Sequence, residues 1–408
     1  MILSKMITLL ACCATAGYGE WNTYHGGGDL RGVSDAIVPP KPQLLWRYSA
    51  GGEVYSTPVS DGKRIFFSAK KGQVVALDLN GSKVWKKSFS RTNDAGAAMP
   101  VRFEAPLACA DGLVFAATTR GTLHALDAKT GEEKWCYESG GIITGSPNFV
   151  PRKINSDRKD AKTQRTEKLS VLASSRSKQS AVVVLDQSEG SLHCLDVQTG
   201  KRIWKTEGVE RCDGAPGIGN GQIVFGSCLA ALHVYGADGK HLKDIEVGGD
   251  GQIAGGVAVD GKLAFAGTRD GGLICADLDA GDIVWSSDES EDQTFSTPSV
   301  TDKLVVYSSD DGLVYAVERV EGKTVWKFDT GGLPYSPVVA GDKVVVSADG
   351  VLYLLKLEDG AKLWSTEVSD DATAPAIIGG LIVVGADDGT VSAWGPPPTA
   401  LGSNADEW

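Results

Sequence analysis

Apolar and polar positions along this chain alternate in a motif that keeps returning. A small apolar stretch, a turn carrying glycine, and an alternating run that closes on tryptophan spell ALDLNGSKVW ending at Trp85 and ALDAKTGEEKW ending at Trp135. The same text returns as CLDVQTGKRIW at Trp204, CADLDAGDIVW at Trp285, AVERVEGKTVW at Trp326 and LLKLEDGAKLW at Trp364. A weaker copy, VYGADGKHLKDI, has lost its tryptophan. Upstream of each copy a small or polar residue precedes proline and an apolar run, at Pro58, Pro106, Pro147, Pro216, Pro298, Pro337 and Pro375, with Gly256 standing where one proline is missing. Between the two signals lie a turn, a β-branched or aromatic run such as KRIFFSA or KLVVYSS, a second glycine turn and a short alternating run such as GQVVALD. Turn-bounded runs of this kind are strands, four to a repeat. A period of about forty residues is that of a four-stranded propeller blade.

The ends of the pattern interlock. The last repeat, TAPAIIGGLIVVGADDGTVSAWG, supplies three strands and then runs into Pro396-Pro397-Pro398, whereas PQLLWRYSAG around Trp46 is a tryptophan strand with no three before it. Joining them predicts an all-β, eight-bladed β-propeller of four-stranded antiparallel blades, closed by the N-terminal strand and leaving no open sheet edge. The tryptophans Trp46, Trp85, Trp135, Trp204, Trp285, Trp326 and Trp364 then read as packing residues between blades, since a repeat cannot bury its face alone.

The expected organisation is a signal peptide at 1–19, a glycine-rich strap at 20–40, the propeller at 41–395 with a basic insertion at 151–180, and a flexible tail at 396–408. The opening MILSKMITLLACCATAGYGEW has one lysine, a short apolar run and small residues near its end. That is a secretory leader and too short to span a bilayer. Leu9-Leu10-Ala11-Cys12 approaches a lipid-attachment pattern, but Leu10 fits it poorly, so a cleaved leader is preferred to an anchor on Cys12. The predicted location is therefore exported, in the periplasm or cell envelope. Gly26-Gly27-Gly28 enters no helical pattern and reads as a flexible strap. The insertion, rich in Lys, Arg and Ser, reads as a solvated loop, with contact to an acidic partner as the alternative.

Charge and cysteine narrow the function. A formal net charge of −12 argues against nucleic acid as partner. In an oxidising compartment Cys212 and Cys228, which flank the turn Gly219-Asn220-Gly221 almost symmetrically, are candidates for a disulfide. Cys194 and Cys275 stand where sister repeats place alanine and read as buried small residues; Cys109 and Cys136 carry no signal. His124, His193 and His233 share one repeat position, yet on third strands of successive blades they diverge to well over about 10 Å, so they cannot share a metal. HExxH, GxSxG, phosphate-loop and CxxCH motifs are absent.

The turns between second and third strands read Lys70-Lys71, Arg120, Glu189, Arg269-Asp270, Asp310-Asp311, Asp349 and Asp387-Asp388. In a propeller these turns share a face with the channel mouth. Basic turns fall on early blades and acidic ones on late blades, a segregation that suits partner orientation. Lys70, Lys71, Arg120, Arg269, Asp270, Asp310, Asp311, Asp387 and Asp388 are the candidate partner-binding residues.

With its Ser- or Thr-Pro strand upstream, the ALDAKTGEEKW repeat resembles the pyrroloquinoline quinone (PQQ)-like propeller family over nearly all of residues 44–395, and WNTYHGGGDLRG is similar to the lead of secreted bacterial members. The resemblance implies two functional classes: quinone- and calcium-dependent dehydrogenases, and cofactor-free BamB-like scaffolds that bind protein. The adjacent cysteines of the quinone alcohol dehydrogenases have no counterpart here outside the leader pair Cys12-Cys13, and no calcium set or catalytic aspartate maps onto this chain. The expectation is a non-catalytic, monomeric scaffold without cofactor, binding a protein or envelope component. A PQQ- and calcium-dependent dehydrogenase is the alternative. A carbohydrate-binding propeller is the third reading, which requires aromatics such as Phe89, Phe295 or Tyr335 at the channel mouth.

Overall fold

A computed structural model describes residues 21–93, 96–151, 179–249 and 251–397. The leader with Cys12, the body of the insertion at 151–180 and the tail beyond 397 lie outside these residues. The described chain is strand and turn throughout, arranged as eight four-stranded antiparallel blades in a ring. Blade 1 comprises Val59–Ser60, Arg64–Ala69, Gln73–Asp78 and Lys83–Ser88. Blades 2 to 7 follow at 108–138, 148–205, 217–246, 258–287, 299–329 and 338–367. Blade 8 takes three strands from 376–395 and its outer strand from Gln43–Ser49, so the two ends of the propeller meet in one sheet, as the sequence predicts. The insertion separates the first and second strands of blade 3.

Burial explains the strand sequences. Second and third strands are covered on both faces and read as apolar runs such as RIFFSA and QVVALD. Fourth strands lie outermost and alternate, as in EKWCYE. First strands crowd the axis, where neighbouring blades touch through them. Glycine is required there: a Cβ on Gly145 would stand 2.8 Å from the Gly214 carbonyl, and one on Gly255 2.6 Å from the Phe295 carbonyl.

Tryptophan joins blade to blade. A bulge recurs between third and fourth strands, at Ala76/Leu77, Ala125/Leu126, Cys194/Leu195, Cys275/Ala276 and Ala316/Val317, just opposite the tryptophan. A bulge re-aims the side chains beside it. The indole NH of Trp46 donates to Leu79 O, Trp85 to Ala128 O, Trp135 to Val197 O and Trp285 to Arg319 O, each at 3.0 Å, and Trp326 to Leu357 O at 2.8 Å, always in the following blade. The ring lies on that blade's turn glycine, so a Cβ on Gly131 (φ +71°) would stand 2.7 Å from Trp85 Cδ2. Trp204 meets Gly239 in the same way. Blade 4, which lost its tryptophan, places Lys243 there, and the ammonium donates to Asp279 O at 2.8 Å. Trp364 faces blade 8, whose outer strands come from opposite chain ends and share no turn; it packs on Trp394 instead, ring centroids 5.5 Å apart.

Candidate functional site

The strap is not flexible, contrary to expectation. From Trp21 to Ser34 its carbonyls accept hydrogen bonds from the inner edges of seven blades in ring order. Ser60 N donates to Trp21 O, Cys109 N to Asn22 O, and both Asn148 Nδ2 and Ile218 N to Gly28 O. Val259 N then donates to Asp29 O, Val300 N to Arg31 O and Val339 N to Gly32 O, at 2.7–2.8 Å throughout. Val38 packs into the core of blade 8. The triple glycine serves this path rather than freedom: a Cβ on Gly28 would stand 3.0 Å from Asn148 Oδ1. His25, 1 % exposed, faces the carbonyls of Leu30 (2.7 Å) and Pro337 (2.9 Å), and burial holds its pKa below the usual histidine value.

The strap turns the axial channel into a blind cavity. Tyr24 lies in its lining and donates to Ser336 Oγ at 2.8 Å; burial pushes the phenol pKa up. The cavity, 290 Å³, opens on the opposite face, between the segments that enter the first strands. Its lining divides in two. Blades 3 to 5 present mainly backbone at Gly145, Gly214, Gly255 and Gly256, whereas blades 6, 7, 8 and 1 present Phe295, Tyr335, Asp371 and Asp387, and Tyr55. Phe295, Tyr335 and Tyr55 remain 37 %, 42 % and 55 % exposed. Phe295 and Tyr335 thus stand at the mouth, while Phe89 is buried against Phe103 and His124. Asp371 accepts from Tyr335 Oη (3.1 Å) and Ala372 N (2.8 Å). Asp387 accepts from Ser369 Oγ at 2.6 Å, a bond that holds its pKa below the usual carboxylate range.

The turns singled out in the sequence surround this mouth. Each is tied to the incoming segment of its own blade: Lys70 N donates to Glu53 O, Thr119 N to Arg102 O, Arg269 N to Gln252 O, Asp310 N to Gln293 O and Asp387 N to Asp371 O. The two arcs differ in how their charges are used. Lys70 pairs with Glu53, and Arg269 pairs with Asp213 (3.5 Å) while its guanidinium lies 5.3 Å from the Phe295 ring centre. Arg120 lines a groove with Arg91 and Arg102. On the acidic arc Asp388 accepts from Thr390 N, and Asp311 from Glu291 N and the Tyr315 hydroxyl, so these two also shape their turns. Burial, then Asp292 and Asp311, raises the Asp310 pKa. Asp270 and Lys71 stand at the same level, Lys71 with φ +71°.

The remaining candidates are separated. His124 pairs with Glu133 (2.8 Å), His193 with the hydroxyls of Tyr137 (3.0 Å) and Ser191 (3.1 Å), and His233 with Asp244 (2.7 Å), each within its own network. No cluster of metal-ligating side chains occurs among the described residues. Cys212 and Cys228 are free thiols on adjoining segments, where Cys228 N donates to Arg211 O at 3.0 Å. Cys194 and Cys275 are buried, and burial pushes both thiols up to about 12.

Sequence reasoning missed Tyr24, Tyr55, Asp213 and Asp371. A signal existed for two of these four: Tyr55 and Asp213, like Thr144 and Phe295, stand three residues before a repeat proline, the position that faces the mouth.

Comparison with known proteins agrees with this architecture. A family model described as outer membrane protein assembly factor BamB matches residues 37–140, 189–370 and 310–395. Outer membrane protein assembly factor BamB of Burkholderia pseudomallei is 24 % identical over 329 residues, 77 % of each chain. Among solved structures, BamB from Moraxella catarrhalis superposes with a TM-score of 0.67 at 19 % identity, covering 88 % of this chain and 98 % of that one. Quinohemoprotein alcohol dehydrogenase from Comamonas testosteroni gives 0.71 at 14 % identity, covering 92 % and 80 %. At such identities the superpositions establish the fold alone, and a fold does not by itself fix an activity.

Proposed function

The chain belongs to the family described as outer membrane protein assembly factor BamB, and from that premise we propose that it is an exported, non-catalytic scaffold that docks a protein of the cell envelope on the face around the axial mouth. The observation that carries this reading is the division of that face into an arc bearing Lys70, Lys71 and Arg120, of which Lys70 is paired with Glu53, and an arc bearing Asp310, Asp371 and Asp387, which form no ion pair among the described residues. Complementary charge orients a partner and speeds its encounter more than it tightens the complex.

The dehydrogenase alternative asks the axial cavity to hold pyrroloquinoline quinone, a tricarboxylate, with calcium. The lining favours the docking reading over this one: it carries Asp213, Asp371 and Asp387, and Arg269, the cation at its rim, is already paired with Asp213 rather than open to the cofactor's carboxylates.

The test is cross-linked capture from an envelope extract with three proteins: the unaltered chain, Lys70→Glu/Lys71→Glu/Arg120→Glu, and Asp310→Lys/Asp387→Lys/Asp388→Lys. One species retained by the first and lost by both reversals supports the reading. Capture indifferent to both reversals refutes it. Tight calcium-dependent binding of pyrroloquinoline quinone in calorimetry would move the assignment to the enzyme class.

A further inference from the structure

Resting on the docking reading above, we propose that the axial cavity and the groove beside it receive a basic side chain, lysine or arginine, from an extended segment of the partner. The groove spans blades 6 to 8 and is continuous with the cavity, sharing Phe295, Tyr335, Ser336 and Asp371. It has a volume of 510 Å³ and is lined further by Asp310, Leu333, Asp349 and Asp370. Neither lining contains a lysine or arginine.

Three features select a cation. Among the described residues Asp310, Asp349, Asp370, Asp371 and Asp387 form no ion pair, so four carboxylates of the groove and one of the cavity face an unneutralised field. Asp371 is held in place by Ala372 N and the Tyr335 hydroxyl, which fixes its charge beside an exposed aromatic ring. An ammonium or guanidinium over an aromatic face is attracted by the ring, more strongly as water is excluded.

The protein already displays this mode of recognition on its own rim. The Arg269 guanidinium lies over Phe295, 5.3 Å from the ring centre, and pairs with Asp213 at 3.5 Å. Tyr335 and Asp371 also place an aromatic ring beside a carboxylate, here joined directly through the tyrosine hydroxyl, in linings that contain no lysine or arginine. Thr144, Ser146 and Thr373 add hydroxyl-bearing side chains to the cavity lining. Exposed Leu333 (57 %) gives the residue beside the cation an apolar contact. The cavity's 290 Å³ admits one side chain, so the segment lies across the mouth and sends a single residue inward.

The probe is an acetylated, amidated pentapeptide, Gly-Leu-Arg-Leu-Gly, titrated into the purified protein by calorimetry and by ligand-observed NMR. Its citrulline counterpart, which keeps the shape and removes the charge, is expected to bind at least about tenfold more weakly. Asp371→Asn and Tyr335→Ala are each expected to weaken the arginine peptide several-fold with thermal melting unchanged, and 0.5 M salt to weaken it further. Equal binding of the two peptides, no binding of either, or indifference to both substitutions overturns the inference; so does tight binding of glucose or maltose competing for the same site. If the peptide fails while charge reversal of the turns still abolishes partner capture, only the inference falls and the docking reading stands.

Discussion

Trp85→Ala tests what closes the ring. Trp85 is 8 % exposed, its NH donates to Ala128 O at 3.0 Å, and its ring rests on Gly131 of the next blade. A buried indole covers roughly 150–250 Å², and truncating one to alanine costs about 3–5 kcal/mol when the site cannot collapse. Collapse is blocked here because both walls are sheets held by their own ladders. With an unfolding entropy of about 2.1 cal/mol/K per residue over roughly 350 ordered residues, that loss lowers the melting temperature by about 4–7 °C. The assay is differential scanning calorimetry of three proteins: the unaltered chain, Trp85→Ala, and Val84→Ala, whose 44 % exposed side chain lies next door on the solvent side of the same strand. Val84→Ala should shift the transition by less than about 1 °C, since an exposed truncation costs within about 0.5 kcal/mol. Equal shifts for the two variants would refute the role given to the repeat tryptophan, and two separate calorimetric transitions would refute a ring that unfolds as one unit.

Further outcomes follow from the same geometry. Gly131→Ala should destabilise by at least about 1 kcal/mol, because it forces a Cβ onto both a positive φ and the Trp85 ring, whereas Lys243→Trp, which restores the repeat's residue in blade 4, should stabilise by about 0.5–2 kcal/mol in urea denaturation. Asn148→Ala removes donors to Gly28 O and Pro216 O in a buried setting and should cost about 1–3 kcal/mol, with faster amide exchange at Ile218 and Val259 as the strap loosens. His193 is buried and its pKa is lowered to about 4, by burial first and Lys205 second, so the folded chain binds fewer protons than the unfolded one in mild acid. Stability is therefore complete above pH ~6.5 and is lost towards pH ~4, by up to about 3 kcal/mol; His193→Gln should flatten that slope in denaturant midpoints measured across the range. Cys212 and Cys228 are free thiols, with Cys212 Sγ on Glu210 O, so peptide mapping of protein recovered from an oxidising compartment should yield the two unlinked; a Cys212–Cys228 linked fragment would refute that arrangement.

The ring was legible because each blade repeats its chemistry. Proline entries, turn glycines and closing tryptophans recur at fixed spacing, so chance cannot mimic them, and the unmatched strand around Trp46 announced its own partner. The strap was misread for a physical reason: WNTYHGGGDLRG has no period, and its order comes from carbonyls meeting strand edges far away in sequence, such as Asp29 O with Val259 N. Composition alone reads such a stretch as loose. The charged turns could be placed on one face from topology, yet the sequence could not tell Lys70, paired with Glu53, from Asp371, which forms no ion pair among the described residues. Pairing across blades is a property of three dimensions.

The strap and the mouth belong to one design. First strands leave unpaired amides along the axis, and such edges invite foreign strands unless they are covered. Trp21–Ser34 covers them at one end by lending its carbonyls to Ser60, Cys109, Ile218, Val259, Val300 and Val339. Once that end is closed, an extended partner segment can reach the axis only from the opposite face, where the first-strand entries carry Tyr55, Phe295, Tyr335 and Asp371. Tyr24 joins the two ends: it rises from the strap into the cavity lining and bonds Ser336 Oγ, which in turn accepts from Thr297 N in the neighbouring blade. The strap thus contributes Tyr24 to the cavity wall and ties it to blades 6 and 7 through one serine hydroxyl.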